Sequence, residues 1–326
     1  MPRRVRYCPP GNDAGMVRIT VVQAGTEHSR DGNPGLERNL DLLLELARAG
    51  AREGPDLVVF PEYSTLGWPY PPEAVVNGSA EPIPGPGPRF ARYVRLAREI
   101  ATPVLGWLVE RDGERLYNTA FLLLPDGRVR GTYRKVQANL GEQINWGWSQ
   151  GERFQVLSLE RPGAPGALPF RFGVSICSDM WFPETVRCNE LLGAELVIHQ
   201  SIADDMGHLV PARAVDSGIP IVMCIFNGGS YAVDASGRLL GKAPATDPAW
   251  LTFTLDLRQV DVERSSRLGG RRRQAALRTL RNVAAYDILT DPATRPDWVE
   301  VFCNADGSDV TEEELRRRFG ARYRRR

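Results

Sequence analysis

The chain has 326 residues, of which 42% are hydrophobic and 25% charged, and its formal net charge is +1. This is the composition of an ordinary soluble globular protein, and the near-zero charge gives no support for nucleic acid as a partner. No apolar run approaches the ~20 residues that a membrane span needs, and the first residues lack the apolar core of a secretory signal. We therefore predict neither a membrane protein nor an exported one.

The cysteines and histidines limit the chemistry further. Five cysteines, odd in number and irregularly spaced, predict no disulfide framework and favour a reducing cytoplasm. The three histidines show no metal-binding spacing, so we predict no metal and no cofactor. Because histidine is so scarce, we expect any catalytic base to be a carboxylate.

The chain opens with a Pro/Gly/Arg-rich segment, residues 1–15, which we predict to be a loose arm. Alternating β-branched residues predict a strand over 17–23. Leucines at helical spacing predict a helix with one buried face over 36–47. Residues 56–61 form a short, nearly continuous apolar run, typical of a strand buried on both faces. Glu62 falls just past the end of that run.

The next segment alternates loops with a helix and hairpins. Residues 67–88 are rich in Pro and Gly and predict a long ordered loop, which is followed by an amphipathic helix over 90–100. Asp-Gly turn signals then separate three predicted strands: 103–110, 116–124 and 128–135. Lys135 ends the third of these strands. The following loop carries three residues that we expect at the rim of a pocket: Glu142, Trp146 and Trp148.

The second half of the chain alternates strands and helices. Residues 170–177 predict a strand that ends at Cys177. The elements predicted after it are a helix over 183–193, a strand over 196–200, a helix over 208–217, and strands over 220–226 and 251–257. From about residue 260 the chain is Arg-rich and predicted to be helical. Such alternation mixed with hairpins predicts one α/β sandwich with mixed sheets.

Lys135 is notable because lysine is rare in this chain. Only Lys135 and Lys242 are lysines among the 41 basic residues. Arginine is a broad, permanently charged fork, whereas lysine presents a compact ammonium. Lys135 is therefore a candidate for a role that arginine cannot fill, and an ordinary surface lysine is the alternative. Its ammonium would lower the pKa of a nearby thiol and stabilise the negative oxygen of a tetrahedral intermediate.

Glu62 and Cys177 complete a set of candidates that each lie at a strand end. A cysteine at the carboxyl end of a strand lies where backbone N–H groups stabilise a thiolate or an oxyanion. The alternative is a buried structural cysteine, which Cys224 fits better. Glu62, held partly desolvated, would have a raised pKa and would take a proton from a thiol. Glu142 would position substrate or assist a leaving amine, and a solvated loop charge is the alternative for both glutamates.

Three segments resemble the nitrilase (carbon–nitrogen hydrolase) superfamily: Phe60-Pro61-Glu62, Tyr133-Arg134-Lys135, and the stretch from Ile176-Cys177 to Pro183-Glu184. The resemblance covers about residues 16–290. It implies a four-layer αββα sandwich of two mixed β-sheets with helices outside. It also divides the chain into the N-terminal arm (1–15), a carbon–nitrogen hydrolase domain (16–290) and an Arg-rich C-terminal tail (291–326).

The same resemblance implies a Glu-Lys-Cys triad. Glu62 would be the base, Lys135 would stabilise the oxyanion, and Cys177 would be the nucleophile. Glu142 matches a second glutamate that many members carry, and the backbone N–H of Ser178 matches a usual oxyanion donor. Segments that match the family also place three further residues at the predicted oxyanion and substrate site: Tyr63, Trp181 and Asn227.

The residues that follow Cys177 and Glu62 bear on the substrate. Ser178 and Asp179 after Cys177 favour the amidase and carbamoylase branches over true nitrilases, and the stretch after Glu62 resembles aliphatic amidases. We expect a hydrolase of a linear amide that works through a thioester. Three alternatives stay open: hydrolysis of an N-carbamoyl amide, acyl or amide transfer to an amine, and hydrolysis of a nitrile.

The expected partner is a small-molecule amide, with no nucleic acid and no membrane. The intact set of candidates argues against a catalytically inactive scaffold. Arginine clusters at 271–273, 316–318 and 324–326 are interpreted as solvated faces or interface contacts, because arginine is favoured throughout the chain. The resemblance also implies a homo-oligomer, for which the apolar helix faces around 183–193 and 208–217 are suitable.

Overall fold

The computed structural model describes residues 15–25, 36–67, 71–139, 141–160, 169–203 and 207–257. The predicted N-terminal arm, apart from Gly15, lies outside the described residues, and so do the helical segment predicted after residue 260 and the Arg-rich tail. The described strands form two six-stranded sheets.

The first sheet mixes parallel and antiparallel strands. Its strands are β1 (Met16–Gln23), β2 (Leu57–Val59), β3 (Val104–Asp112), β4 (Arg115–Leu123), β5 (Val129–Arg134) and β12 (Ala249–Asp256). Their spatial order is β12-β1-β2-β3-β4-β5. Strands β1, β2 and β3 are parallel, whereas β4 is antiparallel to both β3 and β5. Strands β2 and β5 therefore end at the same edge of the sheet.

The second sheet has three parallel strands at its centre. Its strands are β6 (Val156–Leu159), β7 (Phe170–Ile176), β8 (Leu196–Ala203), β9 (Ile221–Asn227), β10 (Tyr231–Val233) and β11 (Leu239–Lys242). Their spatial order is β11-β10-β9-β8-β7-β6, and β7, β8 and β9 are parallel. The carboxyl ends of these three strands therefore meet at one edge.

Helices cover the outer face of each sheet. The described helices are α1 (Leu36–Ala51), α2 (Glu73–Gly78), α3 (Pro88–Ile100), α4 (Pro183–Leu191) and α5 (Leu209–Ser217). Helices α1 and α3 pack on the first sheet, and α4 and α5 on the second. Both α3 and α4 begin with proline, which is tolerated there because the first helical N–H has no partner within the helix. The four layers confirm the αββα sandwich.

The main core lies between the two sheets, where alternate side chains of both point inward. Polar groups also join the sheets across this core. The Cys224 thiol lies 3.4 Å and 3.3 Å from the carbonyl oxygens of Val22 and Val59. Gln200 Nε2 donates to the carbonyl of Phe60 at 2.6 Å. Burial raises the pKa of the Cys224 thiol, which fits the structural role predicted for it.

The structure departs from the predicted elements in the segments without strong periodicity. The predicted loop over 67–88 contains the short helix α2, and β6 was not predicted. The predicted loop after Lys135 contains a single π-helical turn, Gly141–Asn145. These elements are only four to six residues long, too short for the sequence to show a helical or strand period.

Candidate active site

The three principal candidates follow the ends of three strands. Glu62 lies three residues after β2, Lys135 directly after β5, and Cys177 directly after β7. The backbone N–H of Lys135 donates to the Asn118 carbonyl at 2.8 Å, which extends the β4–β5 ladder to Lys135. Glu62 and Lys135 are therefore supplied by the first sheet and Cys177 by the second.

Lys135 lies at the centre of a buried polar network. Its Nζ donates to Glu62 Oε1 at 3.1 Å and to Glu142 Oε1 at 2.9 Å. All three side chains are fully buried. The alternatives of a surface lysine and of solvated loop glutamates are therefore wrong.

Asn118, which the sequence analysis did not single out, joins the two glutamates from the other side. Its Nδ2 donates to Glu62 Oε1 at 2.8 Å and to Glu142 Oε1 at 2.6 Å. Its Oδ1 accepts from Trp107 Nε1 at 2.6 Å. Because an indole N–H can only donate, it fixes the orientation of the Asn118 amide and turns Nδ2 toward both carboxylates.

Glu62 is also held by the second sheet. The backbone N–H of Ile202, on β8, donates to Glu62 Oε2 at 3.1 Å. Burial raises the pKa of Glu62 to about 7, with the charge of Glu142 adding to this rise and that of Lys135 opposing it. A carboxyl that titrates near neutral pH can both take up a proton and give it back.

Glu142 sits in the π-helical turn, and its carboxylate receives four donors. Besides Lys135 and Asn118, Oε1 accepts from the Tyr63 hydroxyl at 3.1 Å. Its Oε2 accepts from the backbone N–H of Asn139 at 2.9 Å, and Asn139 Oδ1 accepts from the Glu142 N–H at 2.9 Å. Hydrogen bonds of this number fix the position of the carboxylate.

The charge of Lys135 is set by two opposing effects. Burial lowers the pKa of an ammonium, but the facing carboxylates of Glu142 and Glu62 outweigh this effect. The net result is a pKa well above the ordinary lysine value, to which Cys177 also contributes. Lys135 therefore stays an ammonium at neutral pH, and Cys177 lies within its electrostatic reach.

Cys177 has an unusual backbone. It opens the 3₁₀ turn Cys177–Trp181 with φ 44°, and its exposed fraction is 8%. Tyr63, directly after Glu62, also has a positive φ of 59°. Left-handed conformations are strained in residues other than glycine and cluster at functional sites. Of the three described non-glycine residues with positive φ, one is the proposed nucleophile, one lies beside the proposed base, and the third, Ala101, ends helix α3.

The remaining predicted site residues differ in their burial and in their distance from the Lys135 network. Ser178 is buried, and its Oγ donates to the Gln137 carbonyl at 2.5 Å. Asn227 is the last residue of β9, and among the described residues none donates a hydrogen bond to its buried Oδ1. Trp181 is 49% exposed at the end of the 3₁₀ turn, outside the buried network.

The three residues predicted at a pocket rim after Lys135 differ in their burial. Glu142 and Trp148 are buried, and Trp146 alone is half-buried. The Tyr63 ring stacks on Trp148 with centroids 6.2 Å apart and meets Trp146 edge-on at 5.9 Å. Tyr63 thus orients Glu142 through its hydroxyl and packs two tryptophans with its ring.

Two further features are absent from the described part of the chain. Within it, no group of three or more His, Cys, Asp or Glu side chains is arranged to hold a metal ion. No described helix combines the length and apolar character that a membrane crossing requires.

The chain belongs to the carbon–nitrogen hydrolase family, whose model matches residues 18–264. An (R)-stereoselective amidase from a Pseudomonas species is 31% identical over 265 residues, which cover 76% of this chain and 88% of that protein. A nitrilase from Pyrococcus abyssi is 25% identical over 245 residues, which cover 71% of this chain and 83% of that protein.

A solved structure resembles this fold closely. It is a variant of the amidase from Nesterenkonia sp. AN1 that shows covalent addition of the acetamide moiety of fluoroacetamide at its active-site cysteine. The two chains are 25% identical, and the match covers 75% of this chain and 92% of the amidase with a TM-score of 0.61. The carbon–nitrogen hydrolase family and the fold predicted from the three sequence segments are thereby confirmed.

Proposed function

We propose that this protein hydrolyses a linear amide to a carboxylic acid and ammonia or an amine, with Cys177 as nucleophile. The observation that carries the proposal is the buried ammonium of Lys135 held between two carboxylates, one of which has a pKa raised to about 7. Such a carboxyl is a base at neutral pH, and the ammonium beside it is a fixed positive charge for a developing oxyanion.

The first half of the reaction forms the acyl-enzyme. Glu62 takes the thiol proton from Cys177, and Sγ attacks the amide carbonyl carbon. The carbonyl oxygen becomes an oxyanion, stabilised by the Lys135 ammonium and by the backbone N–H of Ser178. The C–N bond then breaks as protonated Glu62 gives its proton to the leaving nitrogen. A thioester on Cys177 remains.

The second half returns the enzyme to its starting state. Glu62 takes a proton from water, and the hydroxide oxygen attacks the thioester carbonyl. The same oxyanion donors stabilise the second tetrahedral intermediate. The C–S bond breaks, the carboxylic acid leaves, and the proton on Glu62 returns to Cys177.

We propose that Glu142 anchors Lys135 and does not contact the leaving amine directly. The four donors on its carboxylate already occupy both oxygens. Its charge raises the pKa of Lys135 and, together with burial, that of Glu62. Glu142 therefore raises the pKa of both neighbours, so that Lys135 stays an ammonium and Glu62 titrates near neutral pH.

An amide is preferred to a nitrile because Ser178 and Asp179 follow Cys177 and because the Pseudomonas and Nesterenkonia relatives are amidases. The Pyrococcus relative is a nitrilase, so a nitrile remains the second candidate. We infer that Tyr63 and the two tryptophans packed on it border the acyl group, and that Asn227 and Trp181 lie toward the outer part of the substrate.

Ammonia release tests the proposal directly. A panel of aliphatic amides, N-carbamoyl compounds and nitriles is incubated with the wild type, with Cys177→Ala and with Cys188→Ala. Cys188 lies half-buried on α4, which makes its variant a matched control. We expect release from amides by the wild type and Cys188→Ala, and none by Cys177→Ala. Release from nitriles or carbamoyl compounds alone would contradict the amide proposal.

A second arm distinguishes hydrolysis from acyl transfer. Added hydroxylamine or a primary amine competes with water for the thioester, and the products are identified by mass. We expect the free acid to remain the main product at millimolar amine. A product that is almost wholly the new amide would identify a transferase.

We also propose that the protein is a homo-oligomer that pairs through the outer faces of α4 and α5. Large apolar side chains are 40–49% exposed on and beside these helices, namely Trp181, Phe182, Leu192 and Val215. Light scattering after gel filtration is expected to give a dimer or larger species, and charged substitution of Val215 is expected to dissociate it. The predicted cytoplasmic location and the predicted domain limits stay predictions.

A further inference from the structure

The proposed catalytic groups come from two different sheets. Glu62 and Lys135 follow strands of the first sheet, whereas Cys177 follows a strand of the second. The alignment of the ammonium with the thiol therefore depends on contacts that cross from one sheet end to the other. A misplacement of about 1 Å can lower the rate of a catalysed reaction about 10²-fold.

Asp179 makes such contacts with a fully buried carboxylate. Its Oδ2 accepts from the Tyr133 hydroxyl at 2.7 Å and from the backbone N–H of Ile176 at 2.9 Å. Its Oδ1 accepts from the backbone N–H of Gln137 at 2.8 Å. The hydroxyl of Ser178 adds a parallel link, because it donates to the Gln137 carbonyl.

The partners of Asp179 flank both reacting groups. Tyr133 and Gln137 stand two residues before and two residues after Lys135, and Ile176 directly precedes Cys177. The Asp179 carboxylate thus connects residues on both sides of Lys135 to the backbone N–H of Ile176, the residue before Cys177.

We propose that Asp179 is a positioning residue that sets the distance and orientation between the Lys135 ammonium and the Cys177 thiol. The inference rests on the proposed role of Cys177 as nucleophile. Cys177 adopts φ 44°, a strained conformation that persists only where the surrounding structure holds it. The hydrogen bond from Ile176 to Asp179 holds the residue immediately before it.

The chemistry of the carboxylate explains why an aspartate is needed here. All three partners donate, and an ionised carboxylate accepts on both oxygens. An asparagine has the same shape, but its Nδ2 would face a backbone N–H in either orientation: that of Gln137 or that of Ile176. Asp179→Asn therefore breaks the link to one side of the site without removing volume.

Alkylation of Cys177 by iodoacetamide measures its alignment with Lys135 without any substrate. The thiolate sulfur attacks the methylene carbon, a C–S bond forms and iodide leaves. The rate is followed from pH 5 to 9 by the mass of the peptide that contains Cys177, so that the other cysteines do not interfere. For the wild type we expect a midpoint below the ordinary thiol value of about 8.5, because the ammonium stabilises the thiolate.

For Asp179→Asn we expect the midpoint to move toward the ordinary thiol value and the rate at pH 7 to fall about tenfold or more. Tyr133→Phe removes one of the three hydrogen bonds and is expected to give a smaller shift in the same direction. With an amide substrate, kcat is expected to fall about 10²-fold in Asp179→Asn with little change in KM.

Thr20→Val is the control for a loss of stability alone. It removes a partly buried hydrogen bond between the hydroxyls of Thr20 and Thr252, 2.7 Å apart in the β1–β12 pair. We expect its alkylation profile to match that of the wild type even when its urea midpoint falls.

Wild-type alkylation profiles in both Asp179→Asn and Tyr133→Phe would overturn the proposal. If Asp179→Asn does not fold, Tyr133→Phe and Ser178→Ala decide, and wild-type profiles in both would overturn it equally. If the profiles shift but the wild type hydrolyses no amide, the positioning role stands and the proposed substrate class fails.

Discussion

Glu62→Gln is expected to gain stability relative to the wild type as the pH rises through the neutral range, while it abolishes turnover. Glutamine keeps the shape of the side chain, and its carbonyl oxygen can still accept from Asn118 and Lys135. It lacks the charge whose burial raises the pKa of Glu62 to about 7. The variant is therefore uncharged at every pH, like the protonated form of Glu62, but its Nε2 then faces the backbone N–H of Ile202, which adds a cost that does not depend on pH.

The size of the effect follows from the pKa difference between the folded and unfolded chain. A carboxyl with a raised pKa binds its proton more tightly in the folded state, so folding stability falls as pH rises from 4.5 to about 7. That interval corresponds to about 3 kcal/mol in the free energy of unfolding. The free energy of unfolding of the variant, taken relative to that of the wild type, should therefore rise by about 3 kcal/mol between pH 4.5 and pH 8.

Urea unfolding followed by tryptophan fluorescence measures this difference at pH 5, 6, 7 and 8. Glu99→Gln is the matched control, because Glu99 is an exposed glutamate paired with Arg48 and its pKa is lowered. Its difference from the wild type is expected to stay constant over the same range. A difference between Glu62→Gln and the wild type that does not grow with pH would refute the assignment of Glu62 as the neutral-range carboxyl.

Three further expectations concern the same network. Lys135→Arg is expected to lower kcat at least about 10²-fold, because a guanidinium cannot occupy the fully buried site between Glu62 and Glu142; near-normal activity would contradict this role. Asn118→Ala removes a hydrogen-bond partner from the Trp107 indole and from both carboxylates. We therefore expect the free energy of unfolding to fall by about 1–3 kcal/mol and kcat to fall as well. An unchanged urea midpoint would contradict this expectation. The pH profile of kcat/KM is expected to rise through about pH 7 as Glu62 loses its proton, and a flat profile from pH 5 to 8 would contradict it.

Strand and helix patterns predicted an α/β sandwich with mixed sheets, and the resemblance to the carbon–nitrogen hydrolase family predicted its four layers and the roles of Glu62, Lys135 and Cys177. Each of these residues follows the end of a predicted strand, and parallel strands bring their carboxyl ends to common edges. The rarity of lysine made Lys135 visible, and its burial confirms that it is not a surface residue.

The supporting residues escaped prediction because their roles depend on contacts between distant elements. Asn118 lies inside an apolar strand, where a polar residue was a usable signal, but its partners are 56 and 24 residues away. Ile202 contributes only a backbone N–H, which no side-chain pattern reveals. The burial of Glu142 was not predicted, because its π-helical turn is too short to show a helical period in the sequence.

Mass spectrometry of the acyl-enzyme tests the central claim most directly. The protein is mixed with the best amide of the panel, quenched in acid within milliseconds to seconds, and digested so that the Cys177 peptide can be weighed. We predict a mass increase equal to the acyl group on that peptide, its removal by hydroxylamine as the hydroxamate, and neither adduct nor turnover in Cys177→Ala. Amide hydrolysis that continues in Cys177→Ala, or an acyl group carried by another residue, would contradict the account.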